Sequence, residues 1–299
     1  MELWIPITIT AALLQNIRMA LQKQLNTELS TAGTTYVRSL YGLPLSFLYL
    51  FGLVIWLDIP LPEFNVEFVF YCMLGGSAQI LGTALLVRLF RLRNFVVGIT
   101  YSKTETVQTA VFGFLILGDS LSSAGTIAIA ISFFGIMLVS ASGVGNPFKQ
   151  LATGWSSQSG LFGVLSGGMF GISAVCYRAG SLSLDHHSVA LSAAFTLAVV
   201  LTFQSLVMSA YLIKFEPSQI TDALKSWRIS TWVGITSMLG SVGWFTAMTL
   251  QNAAYVRAVG QVELIFTLLI SRFIFHESMS KFEMTGMLLV VAGILVLIL

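Results

Sequence analysis

The chain is a near-continuous series of apolar stretches about 20 residues long, separated by short runs that hold its charges, Pro and Gly. A helix of that length crosses the roughly 30 Å hydrocarbon core of a bilayer. Lipid offers free backbone N–H and C=O groups no partner, so each span must satisfy them internally, as a helix does. The short alternating segments of a membrane β-barrel are absent. Composition agrees: 56% of the 299 residues are hydrophobic and 9% are charged, against about 25% charged in a soluble domain. The sequence therefore predicts an all-α integral membrane protein.

Apolar runs bounded by charge, Pro and Gly place ten transmembrane helices near residues 4–24, 34–57, 67–87, 95–117, 122–142, 160–180, 187–213, 230–250, 255–275 and 281–299. Met1–Thr10 carries Glu2 and no Lys or Arg, and no small-residue cleavage site follows, so the first helix is expected to be retained. Cys72 and Cys176 both lie in apolar runs and read as buried thiols rather than a disulfide or metal cluster. A formal charge of +2 does not suggest nucleic acid as a partner.

Shifting the chain against itself by 158 residues aligns 78–140 with 236–298 without a gap. Asn94 then falls on Asn252, Glu105 on Glu263, Ser120 on Ser278 and Ser122 on Ser280, while Asp119 meets Glu277. Leu81-Gly82 falls on Leu239-Gly240 and Gly135-Ile136 on Gly293-Ile294. Leucines match by chance in so apolar a chain, but a glutamate followed by an acidic-Ser-x-Ser turn does not readily do so. The halves are 1–142 and 160–299, joined by a Gly-, Ser- and Pro-containing linker at 143–159. Five helices is an odd number, so the second half enters the membrane from the opposite side. Two inverted five-helix repeats typically hold a substrate near the midplane and rock around it to give alternating access.

Ten short helices in two repeats, with Gly-Asp-Ser-x-Ser at Gly118–Ser122 and His-Glu-Ser-x-Ser at His276–Ser280 before a Gly-containing helix, resemble the drug/metabolite transporter superfamily, EamA type. The resemblance covers nearly the whole chain. It implies a metabolite carrier with a cavity lined chiefly by the first, third, fourth, sixth, eighth and ninth helices. The proline common in that family near the middle of the fourth and ninth helices is missing; Glu105-Thr106 and Glu263-Leu264 stand there instead.

Basic residues fall on one side of the bilayer. Lys23, Arg38, Arg88, Arg91, Arg93, Lys149, Lys214, Lys225, Arg228, Arg272 and Lys281 flank loops of one side, against Arg178 and Arg257 on the other. The positive-inside rule then leaves both termini outside, whereas the family resemblance implies both inside. The expected location is a plasma membrane, the inner membrane of a bacterium.

Glu105 and Glu263 are the sharpest functional candidates, because an intramembrane carboxylate is costly unless it is paired or faces water. Helical spacing sets Tyr101, Glu105 and Gln108 on one face, and Gly260, Glu263 and Thr267 on another. The alternative to a functional role is a hydrogen-bond network that fixes the two halves. Lys103, replaced by Gln261 in the second half, lies about 200° around a helix from Glu105 and is better placed to pair with Glu263, leaving Glu105 freer for substrate or a proton. Gln15, Arg18 and Gln22 form a polar stripe on the first helix, which lines an aqueous path or packs against other polar groups. Arg38, nearer a helix end, reads as snorkelling to the interface. Trp244, Tyr101 and Tyr177 are the aromatics best placed for a pocket. Gly163, Gly167 and Gly171 form a small-residue face for close helix approach.

His186, His187 and His276 lack ligand spacing, no nucleotide-binding loop is present, and no nucleophile and base recur together, so neither a cofactor nor an enzyme is expected. The sequence points to a secondary transporter of a small zwitterionic or cationic metabolite such as an amino acid, with proton coupling through Glu105 or Glu263. Carriage of an anionic metabolite (sugar phosphate or nucleotide conjugate) through Arg18 and Lys103 is the alternative transport reading, and a non-transporting scaffold subunit the alternative of another class. Its partners would be the lipid bilayer, the metabolite and protons, the chain itself being a monomer or a weak homodimer.

Overall fold

The computed structural model describes residues 2–89, 101–141, 157–266 and 280–298. All regular structure among them is helical: α1 (Trp4–Leu25), α2 (Thr31–Leu57), α3 (Val66–Leu89), α4 (Glu105–Leu117), α5 (Ser123–Ala141), α6 (Gln158–Ser183), α7 (Val189–Phe215), α8 (Ser218–Lys225), α9 (Trp227–Leu250), α10 (Ala253–Gly260) and α11 (Lys281–Ile298). Six of these, α2, α3, α6, α7, α9 and α11, are long and apolar enough to cross a membrane, and α4 and α5 are shorter apolar helices. Most of the linker, and the expectations placed on Asn94, Thr267, Glu277 and Ser278, lie outside the described residues.

The chain forms two compact units, residues 1–80 with 176–251, and residues 81–175 with 252–299. Both α3 and α6 therefore contribute to each, and neither unit coincides with one half of the chain.

In the first unit, α1 packs on α9, and α2 on α7 and α9. Gly240 and Gly243 make the α1–α9 contact close: a Cβ on Gly243 would meet the Ala11 side chain at 2.8 Å, and one on Gly240 would lie 3.7 Å from the Ala11 carbonyl. One apolar core gathers Phe68, Leu191, Leu197, Leu201 and Phe245. A second gathers Leu25, Val37, Met208, Leu212 and Val233. Ser30 caps α2 by accepting from the Gly33 N–H, and Ser188 caps α7 by accepting from Leu191 N–H. The short helix α8 sits in a stretch expected to be a loop. It buries Ala223, with Ile220 alongside, in the second core, and its outward face carries Asp222 paired with Lys225. Ile55 is 82% exposed and Leu206 66%. Large apolar side chains turned outward on such long helices suit lipid, not water.

In the second unit, α5 and α11 form the closest pair. A Cβ on Gly135 would sit 2.6 Å from the Gly286 carbonyl, and one on Gly286 2.5 Å from the Gly135 carbonyl. Gly293 rests against Ala128 and Ser132 in the same way. Gly82, in the C-terminal half of α3, packs against Met169 of α6. Gly167 and Gly171 bring α6 onto Ser102, Glu105 and Thr109, so the small-residue face read on the sixth helix admits α4.

Candidate functional site

Both stretches read as the fourth and ninth helices are interrupted, and at positions related by the 158-residue shift. Residues 101–102 are helical, 103–104 form a turn and α4 begins at Glu105; α10 ends at Gly260, Gln261 turns, and residues 262–266 are helical again. Three-residue bonds close these turns: Thr104 N–H donates to Tyr101 O at 3.1 Å, Gln261 N–H to Ala258 O at 3.2 Å and Leu264 N–H to Gln261 O at 3.0 Å. Glu105 and Glu263 thus stand in the first turn after a break, not in mid-helix as expected. A helix N-terminus carries partial positive charge, so it favours a carboxylate there, while Arg257, in the last turn of α10, sits where a cation is favoured.

Four charges meet at these breaks. Lys103 Nζ donates to Glu263 Oε1 at 2.5 Å. Arg257 Nε stands 3.0 Å from Glu105 Oε1, an attraction by distance that lacks hydrogen-bond alignment. The Lys103 and Glu263 side chains are 19% and 12% exposed, and those of Arg257 and Glu105 15% each. Water screens neither pair fully, so pairing is what makes the charges tolerable in a membrane helix. Each repeat-related glutamate is held by a cation from the other half of the chain. The cations themselves are not repeat-related: Gln261 takes the position of Lys103 and donates to Thr106 Oγ1 at 3.1 Å, and Ile99 takes that of Arg257.

The expected Lys103–Glu263 pairing is present. The freedom expected for Glu105 is not, because Arg257 occupies it. Arg257 was read as a loop-flanking charge, and the stagger that brings it to Glu105 leaves no mark in sequence. The face drawn through Tyr101, Glu105 and Gln108 does not hold either, since the turn at 103–104 breaks its helical spacing. Gln108 instead donates to Thr104 Oγ1 at 2.6 Å and to the Val164 carbonyl at 3.2 Å, towards α6. Tyr101 is buried, as is Gln261.

The first unit holds the remaining candidates. Gln15, Arg18 and Gln22 are half-buried on α1, and Gln22 Nε2 reaches the Thr34 carbonyl at 3.5 Å. Trp244 is buried on α9, one turn beyond Gly240. Tyr177 stacks on Phe245 with ring centroids 4.5 Å apart. Its hydroxyl donates towards Gln79 Oε1 at 3.0 Å and the Gly75 carbonyl at 3.2 Å. Gln79 Oε1 also accepts from Gln204 Nε2 at 2.8 Å and from Arg38 Nη2 at 2.6 Å. Arg38 is therefore directed into the unit and does not snorkel, because two glutamine side chains on α3 and α7 supply acceptors that the interface would otherwise provide. Gln79 and Gln204 were missed, although a lone amide in an apolar run was the available signal. Arg178, read as a loop charge, donates through Nη1 to the Met248 and Gln251 carbonyls at 2.7 Å each, closing the end of α9.

Residues 158–299 match the EamA-like transporter family. Among curated proteins none matches the chain. A solved crystal structure, described only as that of a protein, is similar over 98% of this chain and 95% of its own, with a TM-score of 0.65 and 14% identity, which speaks for the fold alone. The family match spans just under half of the chain and supports membership of the drug/metabolite transporter superfamily; with six helices among the described residues long and apolar enough to cross a membrane, the chain is an integral membrane protein.

Proposed function

We propose that this transporter carries a small zwitterionic metabolite, with the charges of an amino acid, and that Lys103, Glu105, Arg257 and Glu263 recognise it. The observation that carries this reading is the pairing of two carboxylates with two cations at two helix breaks. A solute with one ammonium and one carboxylate can exchange partners with such pairs while every charge stays compensated. A lone anion or cation would strand a protein charge in low dielectric. Glu105 is the natural coupling group, because its contact with Arg257 lacks the alignment of the Lys103–Glu263 bond. A proton on Glu105 would release Arg257 to a substrate carboxylate.

The carrier is read as ten helices in two inverted five-helix repeats, 1–142 and 160–299, joined at 143–159, and as working by alternating access. Contacts within the units support this. The 158-residue shift carries Gly135 against Gly286 onto Gly293 against Ala128, and Gly240 against Ala11 onto Gly82 against Met169. It also carries one helix break onto the other. The inward engagement of Arg38, Arg178 and Arg257 removes them from any count of loop charges. The remaining basic residues still favour one side, which supports both termini outside.

Uptake by vesicles reconstituted with the full chain tests the reading. Neutral amino acids are expected to compete for a labelled amino-acid mixture, while dicarboxylates and sugar phosphates do not. Competition by the anions alone would instead favour recognition through Arg18 and Lys103. A folded protein that moves no solute, with or without a proton gradient, would leave the four charges a purely structural role.

A further inference from the structure

Arg38 is the eighth residue of α2, about 10 Å along the helix from Thr31. It lies inside one of the stretches long and apolar enough to cross the membrane. A guanidinium there is ordinarily compensated by a carboxylate. Among the described residues none pairs with it: its hydrogen bonds run through Nη2 to the neutral oxygens of Gln79, at 2.6 Å, and Gln204, at 3.4 Å. Two of the unit's carboxylates are engaged elsewhere: Glu216 accepts from Ser30 and Asp222 pairs with Lys225. Arg38 is half-buried, and among the described residues no acceptor meets its Nε or Nη1. These donors are held in place. Gln79 is fixed by Gln204 Nε2 and by the Tyr177 hydroxyl, and Gln204 also donates to the Gly76 carbonyl. Gly75 and Gly76 make room, since a Cβ on Gly75 would lie 2.8 Å from the Tyr177 ring and one on Gly76 2.8 Å from that of Phe203.

A positioned cation with neutral neighbours and spare N–H donors is built to receive a negative group. We propose that Arg38, oriented by Gln79, Gln204 and Tyr177, is an oxyanion-binding site of the first unit that takes a carboxylate or phosphate group. The group belongs to a small soluble anion or to a lipid headgroup, and the two sources give different results in one experiment.

The full chain, purified in the uncharged detergent dodecyl maltoside, is titrated calorimetrically with inorganic phosphate and with succinate at constant ionic strength. A soluble ligand predicts binding that falls at least tenfold in Arg38→Gln and is unchanged in Lys225→Gln, which removes an exposed charge of the same unit. A lipid ligand predicts no response to the soluble anions, but retention of added phosphatidylglycerol in native mass spectra, lost in Arg38→Gln. Arg38→Lys keeps the charge without the fork of donors, and serves if the glutamine variant does not fold; it is expected to weaken either ligand about tenfold. Binding of phosphate, succinate and phosphatidylglycerol that is absent from wild type, or equal in wild type and the Arg38 variant, overturns the proposal.

Discussion

Lys103 Nζ and Glu263 Oε1 meet at 2.5 Å across 160 residues of sequence, each beside a break in its own helical run. The bond ties the two breaks together, so its loss is expected to be felt in stability before it is felt in flux. Lys103→Gln, which installs the residue the second half carries at this position, leaves Glu263 poorly compensated. The expected cost is about 3 kcal/mol, the lower end of the range for a broken buried pair because both side chains retain some exposure. Lys103→Gln with Glu263→Gln removes both charges and should recover a large part of that loss. A double-mutant cycle from thermal melts in detergent checks this, and additive losses would show that the two groups do not act as a pair.

Glu105 should behave differently from Glu263. Its contact with Arg257 lacks alignment, so Glu105→Gln gives up less structure. We expect a smaller fall in melting temperature than for Glu263→Gln, together with a larger loss of proton-driven uptake in reconstituted vesicles. Uptake by Glu105→Gln with the pH dependence of wild type would remove Glu105 from the coupling step.

Much of this arrangement was legible in the sequence, and the part that was not has physical causes. The six long apolar helices followed from apolar runs, because the bilayer sets their length whatever the packing. Angular spacing excluded Glu105 as the partner of Lys103 and left Glu263 as a candidate, which the structure pairs with it. The helix breaks did not follow, since the turns at 103–104 and 261 contain no proline and are made by three-residue backbone bonds. The role of Arg257 depends on how two non-adjacent helices are staggered, which one sequence does not record. Gln79 and Gln204 were within reach, because the rule that singled out Glu105 applies to any strongly polar group in a span. Helix α8 escaped because eight residues are too few for hydropathy to register, although Ile220 and Ala223 share one face.

The α5–α11 contact gives a sharp packing test. A Cβ on Gly286 would lie 2.5 Å from a backbone carbonyl oxygen that cannot move without its helix. Gly286→Ala should therefore cost roughly 1–3 kcal/mol, the range for overpacking a close-fitted interior. Gly52, on α2, has nothing within 4 Å of its would-be Cβ. Gly52→Ala is expected to be neutral or stabilising by up to about 1 kcal/mol, since alanine suits a helix interior better than glycine. Thermal melts of both variants, run side by side, separate interlocking from helix propensity. Equal melting temperatures would mean that α5 and α11 do not interlock as described.

Arg178 offers the last test, of how a helix end is closed inside the first unit. Two carbonyls at the end of α9, those of Met248 and Gln251, accept from a single Nη1 on α6 at 2.7 Å. Such groups have no intrahelical donor, and a cation beside them also complements the negative end of the helix dipole. Arg178→Gln keeps a donor but loses the charge and much of the reach, so it is expected to cost about 1.5–3 kcal/mol, the range for a hydrogen bond to a charged group. Arg178 belongs to the first unit and the four-charge cluster to the second, and the surviving folded protein should retain its affinity for substrate. The combination to look for is a lower melting temperature with an unchanged KM for uptake. A changed KM at an unaltered melting temperature would instead make Arg178 part of the recognition site.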